Sequence, residues 1–259
     1  MHLIFIRHAD PDYKNDSLTE KGFKEAELLA CRAAKWQNID HIYVSPMGRA
    51  QKTAEAILKK IDVPSTNLTW LREFSYPVKD PKTKKNRIAW DWFPEDYFND
   101  KKFADVNKFY QNKALKNAGI EFYYNQVCSG LDEILESYDY SRIDKKTPVY
   151  NCFPHLSVEE SKIDTHLNAG QKDLDEKNLV FVCHLGVMFA MISHLTGISP
   201  VQLWQGFFVS PSSVTIVGAQ ERIPGEAAWR VQCVGDTNHL LSAGETVSAS
   251  GYFGNCLSL

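Results

Sequence analysis

An α/β three-layer sandwich, with a mostly parallel central sheet flanked by helices and an inserted, mainly helical cap, is the fold class this sequence predicts. Three observations predict it. Short, almost wholly apolar runs at residues 2–6, 41–44 and 179–183 read as strands covered on both faces. Amphipathic helical runs alternate with the early strands, as a parallel α/β sheet requires. Between about residues 74 and 173 that alternation breaks, which marks an insertion. With 259 residues, 44% apolar and 24% charged, the chain can bury one large core or a core plus a cap, and disordered and fibrous classes are excluded.

The first strand covers residues 2–6. Ser17 with Glu20 makes a capping-box signature, and Phe23, Ala26, Leu29, Ala30, Ala33 and Trp36 then recur at helical spacing, predicting a helix over about 19–35. His41 to Val44 is the next strand. Ser45-Pro46 reads as an N-cap followed by proline at the first helical position, and the helix after it presents Ala50, Thr53, Ala54, Ile57, Leu58 and Ile61 on one face. Leu68 to Leu71 reads as a third strand. The insertion holds a basic, turn-rich stretch (Lys79, Lys82, Lys84, Lys85, Arg87), a group of aromatics (Trp90, Trp92, Phe93, Tyr97, Phe98) and helices over about 103–117 and 120–138. The core resumes with a strand at 179–183, a helix at about 186–196, and two β-rich runs, 213–218 and 228–234, joined as a hairpin. One domain is expected over 1–259, its core in 1–73 and 174–240.

The net charge of −3 gives no global attraction to nucleic acid or to an anionic membrane, so any anion site must be a local cluster of cations. Six cysteines without a C-x-x-C pair, three of them (Cys31, Cys183, Cys233) in apolar stretches, read as reduced, buried thiols. The N-terminal apolar run is broken by Arg7 and is too short for a signal peptide, and the run 179–195 is interrupted by His184, Ser193 and His194. The Cys256–Leu259 tail fits a prenylation box only formally. A cytoplasmic protein with no nucleic-acid or membrane partner is expected.

Arg7-His8 stands where an apolar strand ends and a polar loop begins, the place where open α/β sheets bind ligands. Alone, the pair would be a surface arginine beside a core histidine. A second strand, however, also ends in a histidine, His184, just before a helix. Arg49 sits a turn inside a helix, where a cation opposes the helix dipole by roughly 0.3–1 kcal/mol unless an anion is bound. Together Arg7, His8, Arg49 and His184 supply what phosphoryl transfer to nitrogen needs: cations for the non-bridging oxygens and an imidazole aimed in line. A general acid is also required, and Glu73, just after the third strand, is the best-placed candidate, with Asp10 and Asp12 remaining open.

The runs Phe5-Ile6-Arg7-His8-Ala9, Ser17-Leu18-Thr19-Glu20-Lys21-Gly22, Ser45-Pro46-Met47-Gly48-Arg49-Ala50 and Cys183-His184-Leu185-Gly186-Val187 resemble, in order and in register, the histidine phosphatase superfamily, also called phosphoglycerate-mutase-like. The resemblance implies that His8 becomes phosphorylated, that Arg7, Arg49 and His184 complete the phosphate pocket, and that Glu73 is the proton donor; no metal or organic cofactor is implied, and the partner is a small phosphorylated substrate. Ala9 stands where the family usually has glycine. The loop Asp10 to Asn15 lacks the Trp-Asn pair of the mutases, which favours hydrolysis over phosphotransfer. Two rival readings are a mutase and a non-catalytic phosphate-binding scaffold; a metal site on His8 and His184 lacks the expected third-ligand spacing. The basic stretch at 79–87 reads as a solvated loop sooner than a substrate contact, and the aromatics at 90–98 as a small core. His155, His166, His194 and His239 have no evident partner, and spacing alone does not bring Asp236 or His239 to the site.

Overall fold

The computed structural model describes residues 1–92, 94–154, 177–254 and 256. In chain order the elements are β1 (His2–Arg7), β2 (Pro11–Asp12), β3 (Ser17–Leu18), α1 (Glu20–Ala33), β4 (Ile39–Val44), α2 (Gly48–Leu58), β5 (Ser65–Asn67), β6 (Pro77–Lys79), β7 (Asn86–Ile88), α3 (Pro94–Phe98), α4 (Lys113–Asn117), α5 (Ile120–Glu136), β8 (Ser141–Arg142), β9 (Val149–Asn151), β10 (Asn178–Cys183), α6 (Leu185–Thr196), α7 (Pro200–Gly206), β11 (Val214–Ile223), β12 (Glu226–Asp236) and α8 (Asn238–Leu241).

Eight strands form the central sheet in the order β5-β4-β10-β1-β11-β12-β9-β8. β5, β4, β10 and β1 run parallel, and every pairing from β1 through β8 is antiparallel. The α/β sandwich stands as expected, but its sheet is mixed: β11 and β12 form a long hairpin, and the short β8 and β9, unpredicted members of the inserted stretch, extend its edge. The period-two alternation of strand side chains divides the core into two layers. Leu3, Phe5, Leu179 and Phe181 face α5, α6, α7 and the segment after residue 74, whereas Ile4, Ile6, Val180 and Val182 face α1 and α2. The segment after residue 74 shares the larger core directly, through Phe74, Val78, Trp92, Phe103 and Phe109.

Several boundaries differ from the sequence expectation for local reasons. The cap of α1 is Thr19, whose hydroxyl accepts the Gly22 N–H, and Ser17 lies in β3. Phe23, expected on the buried face, is exposed. Ser45 does not cap α2; the helix starts at Gly48, and the Asp16 carboxylate accepts the Gly48 N–H at 2.7 Å from a different loop. The third strand is Ser65–Asn67, and Leu71 reaches the core from a 3₁₀ turn, Thr69–Leu71. The helix expected over 103–117 is broken into 3₁₀ turns and α4, because Asp100, Asp105 and Asn112 each bond a backbone N–H two residues on. Of the cysteines expected to be buried, Cys183 is; Cys31 is exposed and Cys233 only partly covered. Among the described residues no helix is long and apolar enough to cross a membrane. Phe93, His155 and His166 lie outside the described residues.

β1 and β10 are neighbours in register, Arg7 opposite Cys183, so the residues after them, His8 and His184, leave the sheet side by side. The chain leaving β1 runs to α1 on one face and the chain leaving β10 runs to α6 on the other. Where successive connections part to opposite faces, a crevice opens at the carboxyl ends of the strands.

Candidate active site

Backbone hydrogen bonds fix the floor of this crevice. The His8 N–H donates to Cys183 O at 3.0 Å, Ser45 N–H to Val182 O at 2.9 Å, and Ser212 N–H to His8 O at 3.1 Å. Thr53 on α2 adds a tie: its hydroxyl accepts the Ala9 N–H at 3.0 Å and donates to Arg49 O at 2.8 Å. Ala9 is fully buried and packs with Leu18 and Ala26, so its methyl is accommodated where glycine would leave a gap.

His8 Nδ1 donates to Ala9 O at 2.8 Å, which places the lone pair on Nε2. Arg49 Nε donates to that nitrogen at 3.2 Å. The His184 ring lies 5.0 Å from the His8 ring, with its Nε2 2.7 Å from Ser45 Oγ. Burial, reinforced for His8 by Arg7 and for His184 by His8, holds both imidazoles well below the usual histidine range. Both are therefore neutral at pH 7.

Arg7 is buried, its two terminal nitrogens donating to Val209 O at 2.6 Å and Ser250 O at 2.7 Å. Its Nε and the Nδ1 of His184 are buried without a partner among the described residues. Arg49 also pairs with Asp16 at 2.7 Å and faces the Tyr13 ring at 5.4 Å. Asp16 is thus the resident anion that offsets Arg49 at the start of α2. Glu73 Oε1 accepts the N–H groups of Phe74 (2.7 Å), Gly186 (2.9 Å) and Val187 (3.3 Å), the last two at the N-terminus of α6. Burial raises the Glu73 pKa against the opposing pull of those N–H groups and of Arg7 and Arg49.

These residues surround a cavity of about 260 Å³ lined by Arg7, His8, Tyr13, Arg49, Glu73, Ser75, Trp90, Leu185 and Gly251. His184 packs immediately behind His8. Of the three candidate carboxylates, Glu73 alone lines it. Asp10 is engaged by Thr19 and Ser248, and half-buried Asp12 closes a turn with Lys14 and Asn15. A larger open groove, about 520 Å³, runs between α2 and β5 past Gln51, Glu55 and Asn67, and no buried titratable group lines it.

Tyr13, Trp90 and Gly251 are cavity residues that sequence reasoning missed, as are Asp16, Ser45 and Thr53 as orienting groups. Ser45 was visible only as a helix-start signal. The basic stretch at 79–87 is a β6–β7 hairpin in which buried Asp80 accepts from Lys82 N, Thr83 N and Arg87 Nε, and Lys82 pairs with Asp96. His194 pairs with Asp132 at 2.8 Å, away from the cavity. Asp236 pairs with Arg32, and His239 reaches only as far as Ser212 Oγ, at 3.2 Å.

Residues 3–110 match the family model described as histidine phosphatase superfamily (branch 1). Curated relatives include the mitochondrial serine/threonine-protein phosphatase Pgam5 of Drosophila melanogaster, 30% identical over 150 residues, which are 53% of this chain and 44% of that protein. The chain thus matches less than half the length of that relative. Similar solved structures include a mutant phosphoserine phosphatase from Entamoeba histolytica in complex with phosphoserine, with a TM-score of 0.53 and 18% identity, covering 92% of this chain and 98% of that one. An alpha-ribazole phosphatase from Shigella flexneri gives a TM-score of 0.52 and 16% identity over 92% of this chain and 97% of that one. At that identity the likeness is one of fold.

Proposed function

We propose that this chain, whose residues 3–110 match the histidine phosphatase model, is a phosphomonoester hydrolase that works through a phosphohistidine on His8. The observation that carries this reading is the pinned tautomer of His8: Nδ1 is tied to Ala9 O, so Nε2, which accepts from Arg49 Nε, is the unprotonated nitrogen, and His8 lines a cavity together with two arginines and a buried carboxyl. Arg7 and Arg49 hold the non-bridging oxygens, and His184 supports them from beside His8. His8 Nε2 attacks phosphorus as the ester P–O bond breaks, and Glu73, whose pKa burial raises, gives a proton to the departing alkoxide. Water then attacks the phosphohistidine, returning a proton to Glu73 and freeing His8 and inorganic phosphate. No step calls on a metal ion.

The cavity volume of about 260 Å³ favours a phosphoryl group on a small alcohol over an extended phosphoprotein segment. Free cysteines at all six positions fit a reducing, cytoplasmic setting. Hydrolysis is favoured over phosphotransfer because the loop Asp10 to Asn15 carries no Trp-Asn pair to close over the cavity, and Tyr13, the residue of that loop that lines it, is 62% exposed.

The test is release of inorganic phosphate from phenyl phosphate in the presence of chelator. The reading expects turnover that His8→Ala abolishes. Interconversion of 3- and 2-phosphoglycerate with little phosphate released would overturn it in favour of a mutase. Absence of turnover with tight phosphate binding would favour a scaffold.

A further inference from the structure

We propose that Trp90 contacts substrate: its indole N–H donates a hydrogen bond to an acceptor oxygen carried by the alcohol portion of a small phosphomonoester, close to the ester oxygen. The proposal rests on the phosphatase reading and deepens it. Trp90 lines the same cavity as His8, Arg7 and Glu73. Its Nε1 is buried and has no hydrogen-bond partner among the described residues. Leaving a buried donor unmet costs about 1–3 kcal/mol, and buried indole N–H groups are ordinarily paired. Trp204, on the same face of the sheet, obeys this rule by donating to Gly186 O at 2.9 Å. Trp92 and Trp229 also carry unpaired indole nitrogens, but neither lines the cavity.

Two neighbours hold the ring in place. Gln205 Nε2 donates to Trp90 O at 3.0 Å. Gly186 lets the indole come close to the start of α6, since a Cβ there would stand 2.8 Å from Trp90 Nε1 and 2.6 Å from Glu73 Oε1. The indole N–H and the candidate acid therefore approach one point at the edge of the cavity. Arg7 and Arg49 supply the charge for the phosphoryl group; the donor beside Glu73 is neutral. A neutral donor placed next to the group that protonates the leaving oxygen matches a hydroxyl or carbonyl oxygen one or two carbons from the ester.

The test compares ethyl phosphate with 2-hydroxyethyl phosphate, which differ by one such acceptor, in wild type and in Trp90→Phe, which keeps an aromatic ring and removes the N–H. Wild type is expected to prefer the hydroxyethyl ester about tenfold in kcat/KM, the factor that about 1.4 kcal/mol provides, and Trp90→Phe to bring the ratio between the two esters close to one, whatever common factor the altered ring packing takes from both. A preference that survives in Trp90→Phe overturns the proposal, as does its absence in wild type. Equal loss on both esters assigns Trp90 to packing alone and also overturns it. Failure of wild type to hydrolyse either ester or phenyl phosphate sinks instead the phosphatase reading beneath it.

Discussion

Replacing Glu25 by glutamine should remove a pH-dependent cost from the fold. Glu25 lies on α1 with 2% of its surface exposed. Its Oε2 accepts the Asp10 N–H at 2.9 Å, two residues beyond His8, and its Oε1 is buried without a partner among the described residues. Burial pushes its pKa from 4.5 up to about 7; the Asp10 N–H, Lys21 and Arg7 pull it down, and the Asp10 charge adds to the rise. The folded state therefore holds a proton that the unfolded chain releases near pH 4.5. Stability falls as pH rises from about 4.5 to about 7, and the full cost, about 3 kcal/mol, stands above that window. Glutamine is neutral throughout and keeps an oxygen for the Asp10 N–H. Urea unfolding of both proteins at pH 5, 6, 7 and 8 should show the variant gaining about 2.5 kcal/mol on wild type between pH 5 and pH 8, since part of the cost is already present at pH 5. Parallel stability curves would refute the reasoning, because they would mean that Glu25 titrates in the folded protein as it does in the unfolded chain.

Three further outcomes follow from the same geometry. Gly186→Ala would press a methyl to within 2.6 Å of Glu73 Oε1 and 2.8 Å of the Trp90 ring; kcat should fall at least roughly 100-fold, as displacement of positioned groups does, and unchanged kcat would show that these groups yield freely. Ser45→Ala removes the partner of His184 Nε2; it should cost about 1 kcal/mol of stability and about tenfold in kcat, measured with phenyl phosphate, with inorganic phosphate binding weakened in parallel. Asp16→Asn removes the carboxylate shared by Arg49 and the Gly48 N–H; because Asp16 is half-exposed the stability loss should stay near 1 kcal/mol or below, read from thermal melts at low salt.

Three strands of the parallel half, β1, β4 and β10, were legible because strands buried on both faces leave apolar runs, and His8 and His184 could be placed at strand ends sharing one pocket from that pattern; β5, polar and exposed, was not legible. Arg49 was legible as a cation near a helix start, but its partner was not: Asp16 comes from another loop, held at a positive φ of 46°, and no local pattern signals that approach. Glu25 was hidden within an otherwise apolar helix face that reads correctly without it. The short strands β8 and β9 escaped because their stability comes from pairing with β12, with Tyr150 buried against Trp229, and not from their own composition. The helix expected over 103–117 failed for the opposite reason, since Asp100, Asp105 and Asn112 offer the backbone competing local bonds. Trp90 read as part of a small aromatic core, and its unpaired N–H becomes visible only once Gly186 is seen beneath it.

The central claim is a covalent bond between phosphorus and His8. The most direct measurement is mass spectrometry, after rapid quench with phenyl phosphate, of acid-labile phosphate on wild type, Glu73→Gln and His8→Ala. The account predicts phosphate on the peptide containing His8, greater in Glu73→Gln if loss of the base slows the second step more than loss of the acid slows the first with a phenol leaving group, and none in His8→Ala. Steady turnover by wild type with no phosphorylated peptide at any quench time, or turnover retained by His8→Ala, would contradict it.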